Sequence, residues 1–242
     1  MRGILSLLVF LALLYNGQAT AAQPMRITAT AWLVADDTGK IIDGSNTGQV
    51  KSIASISKLM TAMIVLDAHQ DLDEYIKPYT RRELLQLAIV HSDNNATDIL
   101  CNNYPGGRQH CIRALNAKAS ALKLSNTRFI DPTGLSVFNV STAEELVHLV
   151  IESSKYPEIV IASKMSEVKI KLKKKWLVFR NTNPIIGKRH DFIVSKTGYI
   201  RASGGCIVMM LDTDIGRRIV VVLGSKNTRT RIPEAEFIAK KY

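Results

Sequence analysis

Strand-like sequence stands at both ends of this 242-residue chain, and helical sequence fills the middle. That order limits the fold more than any other feature. Ile27 to Val34 mixes β-branched, aromatic and small residues; Asp36-Asp37-Thr38-Gly39 is a turn, and Lys40-Ile41-Ile42-Asp43 leads back, so a hairpin is expected. At the other end, Val168–Leu172 with Leu177–Arg180, then Phe192–Thr197, Gly204–Leu211 and Arg218–Leu223, read as strands. Between them lie helices: one from Ser55 to about Ala68, one opened by the capping box Thr80-Arg81-Arg82-Glu83, one around Ala96–Cys101, and one from Gly107 to Leu122. A second capping box, Ser141-Thr142-Ala143-Glu144, opens a helix to about Glu152, and Pro157 starts a short one. The last residues, from Arg231, form a final helix that packs on the body. The expected class is α/β (α+β). One mostly antiparallel sheet is built from both ends and flanked by helices, with an inserted all-helical lobe at about 59–160.

The first 21 residues stand outside that plan. Arg2 gives a positive start, Ile4 to Leu14 is apolar apart from Ser6, and Ala19-Thr20-Ala21 matches a small-residue cleavage site. The apolar run is too short to span a bilayer, so residues 1–21 read as a cleaved secretory signal and 22–242 as a single catalytic domain. No stable membrane anchor is expected. Export predicts an oxidising compartment, periplasmic and soluble or wall-associated. There Cys101 and Cys111 either pair across the loop 102–110 or sit as small buried residues on separate helices. No Cys/His spacing matches a metal site, and no cofactor is expected.

The net charge of +11 drops by one, to +10, when Arg2 leaves with the signal. A basic exported chain meets anionic polymers or membrane surfaces rather than nucleic acid. The densest basic run, Lys169-Ile170-Lys171-Leu172-Lys173-Lys174-Lys175, alternates like a strand before it clusters. It reads as a solvated hairpin or as a polymer-binding strip.

Chemistry concentrates in three short motifs. Ser55 and Lys58 are three residues apart at the head of a helix, which puts both side chains on one face. A serine hydroxyl becomes a nucleophile when a neighbouring base takes its proton, and a lysine with a lowered pKa can be that base. Ser92-Asp93-Asn94 offers a hydroxyl and a carboxamide on a short turn, fit to relay a proton and to hold the base. Lys196-Thr197-Gly198 ends an apolar strand with a cation, a hydroxyl and a residue whose bare backbone admits a substrate. Asp93, Asp131, Thr133, His91 and His110 read as structural.

The order Ser-x-x-Lys, Ser-x-Asn, Lys-Thr-Gly resembles the penicillin-recognising serine enzymes. Asp131-Pro132-Thr133-Gly134-Leu135-Ser136, Asn139-Val140-Ser141-Thr142-Ala143, Phe179-Arg180-Asn181-Thr182-Asn183 and Lys196-Thr197-Gly198-Tyr199 extend the likeness. It points to the low-molecular-mass penicillin-binding proteins, which are D-alanyl-D-alanine carboxypeptidases and endopeptidases, and most to the murein D,D-endopeptidase branch. The resemblance implies a penicillin-binding protein/serine β-lactamase-like fold. It also implies hydrolysis of D-alanyl bonds in peptidoglycan stem peptides, with β-lactams as inhibitors. Ser55, Lys58, Ser92 and Asn94 would be catalytic. Lys196 and Thr197 would bind a carboxylate, and the backbone N–H groups of Ser55 and Tyr199 would hold an oxyanion. Lys196 together with burial would keep Lys58 neutral. Two departures are expected to matter. The segment from Lys58 to Ser92 is short, and the chain ends without the extra β-domain and membrane tail of the carboxypeptidase branch. The competing functions are a serine β-lactamase and an inactive wall-binding module. A class A β-lactamase takes its water-activating carboxylate from a Glu-x-x-Leu-Asn pattern. Asp131-Pro132-Thr133-Gly134 stands where such a pattern would fall.

Overall fold

The computed structural model describes residues 25–188 and 191–242. The signal read at 1–21 lies outside them. The chain opens with β1 (Ala31–Asp36) and β2 (Ile41–Ser45). Asp36 ties their turn, its Oδ1 accepting from the Thr38 and Lys40 N–H groups at 3.0 Å each. Gly39 supplies the left-handed φ of +90° that the turn requires. A two-residue strand β3 (Lys51–Ser52) leads into a 3-10 turn at Ala54–Ile56 and helix α1 (Ser57–Asp67).

The helical lobe follows. A small hairpin, β4 (Tyr75–Ile76) and β5 (Tyr79–Thr80), precedes α2 (Arg81–Gln86). Thr80 and Glu83 form the expected capping box. The helix does not run on regularly to Val90: residues Leu87–His91 widen into a π turn, which ends at Ser92 in the left-handed region. Then come α3 (Asn94–Asn102), α4 (Gly107–Ala121), β6 (Val140–Ser141, paired with β3), α5 (Ala143–Ser153) and α6 (Pro157–Lys164). Cys101 and Cys111 form a disulfide joining α3 to α4. The second capping box is shifted by one residue. Thr142 is the cap and accepts from Glu145 N–H at 3.1 Å. Ser141 is buried instead against Thr127, hydroxyl to hydroxyl at 2.7 Å. Glu145 turns to Asn126 N–H and the Thr127 hydroxyl, so long-range partners claim the groups that the local pattern assigns to the cap.

A two-stranded ribbon, β7 (Glu167–Leu172) with β8 (Lys175–Arg180), links the lobe back to the sheet strands β9 (Phe192–Ile200), β10 (Gly204–Thr213) and β11 (Gly216–Ser225). Helix α7 (Arg231–Lys241) closes the chain. The sheet is antiparallel in the order β2-β1-β11-β10-β9, so the two ends of the chain meet at the β1–β11 pair. β10 and β11 are apolar without alternation because both faces of the sheet are covered. One face, with Leu33, Val194, Val208, Val221 and Leu223, packs on the helices of the lobe. The other, with Val34, Met209, Val220 and Val222, packs on Ile232, Ala235 and Ile238 of α7. Each such aliphatic side chain stabilises the fold by roughly 1.5–3 kcal/mol.

α1 is the axis of the molecule. Residues 57–65 are all buried, which explains why its apolar positions run round the helix rather than along one stripe. A helix so enclosed can carry a charged residue only where polar atoms meet it, and Lys58 is that residue.

Candidate active site

The head of α1 is held in a strained turn. Ala54 has φ +47°, an uncommon conformation for a residue with a Cβ, and it sets the peptide entering Ser55. Ser55 is half-buried at the cleft wall. One turn on, Lys58 is fully buried. Its Nζ lies 2.9 Å from Ser55 Oγ, 2.8 Å from Asn94 Oδ1 and 2.6 Å from the Thr133 carbonyl oxygen. Two of these three partners are carbonyl oxygens, which only accept. They consume two N–H groups of Lys58 and leave its third tetrahedral position facing Ser55. In the neutral amine that position is the lone pair.

Burial pulls Lys58 down from the ordinary lysine range to about 7, against the opposing charges of Asp131, Asp93 and Asp98. Asp131 itself is locked. Its Oδ1 accepts from the N–H and hydroxyl of Thr133 and from Gly134 N–H, and its Oδ2 accepts from Ser136 N–H, all at 2.7 Å. Burial raises its pKa, but these donors outweigh burial and hold the carboxyl below its usual range. The loop so formed aims the Thr133 carbonyl at Lys58. Gly134 makes the approach possible. It has φ +82°, and a Cβ there would come within 1.9 Å of the Ala54 carbonyl oxygen.

The other cleft wall is β9, the edge strand of the sheet. Lys196 is buried and donates to Ser92 Oγ at 2.8 Å and to the Thr197 carbonyl at 3.0 Å. Burial, then repulsion from Lys58 and Arg231, lowers its pKa well below the lysine range. Lys58 and Lys196 repel one another across the site, as expected of two cations there, and the pH profile of acylation decides whether Lys196 joins burial in keeping Lys58 neutral. Lys58 is lowered by its own desolvation. The repulsion disfavours a charge on either amine, and both are buried. The Thr197 hydroxyl shares a 2.7 Å hydrogen bond with that of Thr182. Gly198 runs beside the Ser55 turn: a Cβ on it would stand 2.8 Å from the Ile53 carbonyl oxygen and 3.1 Å from Ser55 N. Tyr199, 48% exposed, follows at the rim.

All eight residues singled out from the sequence thus converge on one cleft. Ser92 reaches it because the π turn ends in a left-handed residue, φ +60°, and Asp93 caps α3 through Ala96 N–H so that Asn94 faces Lys58. Sequence reasoning passed over three participants. The Thr133 carbonyl holds Lys58, Thr182 holds Thr197, and buried Arg231 donates to the Gly198 carbonyl at 2.6 Å. A main-chain acceptor has no sequence signature. Asp131-Pro132-Thr133-Gly134, with an aspartate two residues before a threonine and a glycine after it, was the signal that this loop is tightly wound. Among the described residues, no cluster of His, Cys, Asp and Glu could hold a metal ion.

The family model described as D-alanyl-D-alanine carboxypeptidase matches residues 18–77 and 74–227. The chain belongs to this family. Among its relatives, a D-alanyl-D-alanine endopeptidase of Escherichia coli strain K12 is 40% identical over 78% of this chain and 69% of its own length. A D-alanyl-D-alanine endopeptidase of Pseudomonas aeruginosa is 36% identical over 96% of this chain and 83% of its own. A D-alanyl-D-alanine carboxypeptidase of Bacillus subtilis, DacF, is 27% identical over 84% and 58%. The D-alanyl-D-alanine carboxypeptidase fold is equally plain in solved structures. The Streptomyces K15 DD-transpeptidase superposes with a TM-score of 0.82 at 22% identity, over 89% of this chain and 97% of that one. Penicillin-binding protein D2 of Listeria monocytogenes, in its ampicillin-bound form, gives 0.79 at 24%, over 89% and 97%. The expected fold is borne out.

Proposed function

We infer that the protein is a serine D,D-peptidase that hydrolyses D-alanyl peptide bonds in peptidoglycan and is acylated on Ser55 by β-lactams. The observation that carries this reading is the environment of Lys58: an amine near pKa 7, fixed by two carbonyl acceptors, with its remaining position on Ser55 Oγ. Neutral Lys58 takes the Ser55 proton as Oγ attacks the amide carbonyl carbon on the C-terminal side of a D-alanine. The Ser55 and Tyr199 N–H groups receive the oxyanion. The carbon–nitrogen bond breaks, and the amine leaves with a proton delivered by Lys58 or through Ser92. Water then cleaves the acyl-enzyme. Lys196 and Thr197 take the carboxylate beside the scissile bond, whose charge favours the protonated form of Lys196. Asn94 holds Lys58 and the substrate amide.

The endopeptidase branch is the preferred assignment, because the relatives at 40% and 36% identity carry that name and the carboxypeptidases stand at 27% and below. The β-lactamase alternative needs a carboxylate free to activate water. Asp131, which stands in the expected stretch, has both oxygens committed to backbone and hydroxyl donors. An inactive wall-binding module has no use for a lysine held at about 7 against a serine hydroxyl. The sequence of residues 1–21, which reads as an export signal, and the Cys101–Cys111 disulfide, a bond at home in oxidising compartments, support periplasmic action. Among the described residues, no helix is long and apolar enough to cross a membrane.

The test is incubation with cross-linked muropeptide dimers and with pentapeptide monomers, the products weighed by mass spectrometry. Release of monomers from dimers is expected. Loss of a single alanine from pentapeptide, with dimers untouched, would move the enzyme to the carboxypeptidase branch. Rapid turnover of penicillin would make it a β-lactamase.

A further inference from the structure

The β7–β8 ribbon presents a face that the site chemistry does not use. Within 167–180 stand five lysines and Arg180 against a single acid, Glu167. The register pairs Lys169 with Val178 and Lys171 with Trp176. Partners in an antiparallel pair share a face, so these four side chains form one outward surface, with Glu167 and Arg180 at its base. On the opposite face Val168 and Ile170 are buried in the core of the lobe, and Leu177 is partly exposed. On the outer face Trp176 is 64% and Val178 50% exposed, although neither needs to be apolar for folding. Lys171 Nζ stands 5.9 Å from the centre of the Trp176 ring. Lys169 meets Glu167 at 3.2 Å, the one ion pair of the ribbon lysines among the described residues. At the tip, Lys173 adopts φ +55°, where glycine or asparagine would be easier, so a charge is kept at a conformational cost.

The ribbon is bolted to the cleft. His91, at the end of the π turn that presents Ser92, packs edge-on against Phe179 at 5.4 Å and bonds the Arg180 carbonyl at 3.0 Å. Two residues beyond β8, Thr182 binds the Val90 carbonyl and the Thr197 hydroxyl. The base of the ribbon is therefore anchored beside the Lys196–Thr197 end of the cleft.

We propose that the outer face of this ribbon is an exosite for the polymeric substrate: it binds carboxylate-bearing peptidoglycan strands beyond the bond being cleaved. This rests on the function proposed above. The lysines and Arg180 meet stem-peptide carboxylates, and the flat Trp176 ring lies against a sugar or peptide face. An anionic lipid surface fits less well, because Trp176 and Val178 share their face with Lys169 and Lys171 and offer a bilayer only two apolar side chains there.

The test is co-sedimentation of the Ser55→Ala protein with purified peptidoglycan sacculi, compared with Ser55→Ala carrying Lys169→Ala, Lys171→Ala and Trp176→Ala. The expected result is at least a tenfold weaker binding and a shallower salt dependence for the ribbon variant. The same three changes in the Ser55 protein should leave penicillin acylation unchanged. A second variant at the solvent-exposed tip, Lys173→Glu with Lys174→Glu, should weaken sacculus binding without touching the packed face. Sacculus binding by both variants as tight as that of Ser55→Ala alone overturns the proposal. So does tighter binding of the ribbon to anionic phosphatidylglycerol vesicles than to sacculi. Failure of the functional reading is separate: wild-type protein would resist penicillin, while the sedimentation arm would still report on the ribbon.

Discussion

Two buried lysines stand on the two walls of one cleft, and their surroundings are opposite in kind. Lys58, on α1, is ringed by carbonyl oxygens and lies in the field of Asp131, Asp93 and Asp98. Lys196, on β9, meets a hydroxyl and a carbonyl, and the charges it feels are Lys58 and Arg231. Desolvation acts on both. On the α1 side the aspartates offset part of it, and the amine settles near neutrality, where it can gain or lose a proton. On the β9 side the charges that act on the amine, Lys58 and Arg231, add to the effect of burial. That wall is one negative charge short, which is the condition of a site built to receive a carboxylate. One residue type thus serves as base and as anchor, and the neighbours decide which.

Ser55→Ala should abolish covalent labelling by a fluorescent penicillin, read by intact-protein mass, while the thermal unfolding transition remains. A persistent adduct would put the nucleophile elsewhere. Lys58→Ala should slow acylation by on the order of 10³-fold, as loss of a positioned general base does. Lys196→Ala removes the anchor and not the base. Acylation should fall roughly 10- to 100-fold, the worth of a charge-assisted hydrogen bond. The pH midpoint of acylation should move up if Lys196 shares in keeping Lys58 neutral, and an unmoved midpoint would leave burial to do so alone. The smallest effect is expected for Asp131→Asn. The midpoint should shift to lower pH, since a charge that raises the Lys58 pKa is gone. The loop should lose about 1.5–3 kcal/mol of stability, seen as a lower melting temperature.

Lys58 also ties stability to pH. Its pKa is about 7 folded, against the 10.5 of an ordinary lysine. Between those values the unfolded chain binds the extra proton, so stability rises with pH across that window. Below it the folded protein carries the full cost of a buried ammonium. Denaturant midpoints measured between about pH 6 and pH 9 should climb in wild type and climb less in Lys58→Met.

The fold was largely legible because local patterns and tertiary demands agree. The Thr80–Glu83 capping box, the Asp36–Gly39 turn and the apolar strands each mean in the structure what they mean in the sequence. Legibility failed where distant partners intervene. Ser141 and Glu145 answer to Thr127 and Asn126 rather than to their own helix. The π turn before Ser92 has no breaker residue to announce it. Side-chain chemistry at the cleft was readable because it needs particular residue types at fixed spacing. The supporting chemistry was not. The Thr133 carbonyl and the guanidinium of Arg231 act through positions that only the folded chain brings within 3 Å of their targets.

The most direct test of the account is the pH dependence of penicillin acylation, measured by rapid mixing from about pH 5 to pH 9, a range that brackets the depressed lysine pKa. The rate constant should rise with a single midpoint near 7, as Lys58 becomes neutral and its lone pair turns to Ser55. A rate that stays flat through that range, or that rises only near the ordinary lysine pKa, would contradict it.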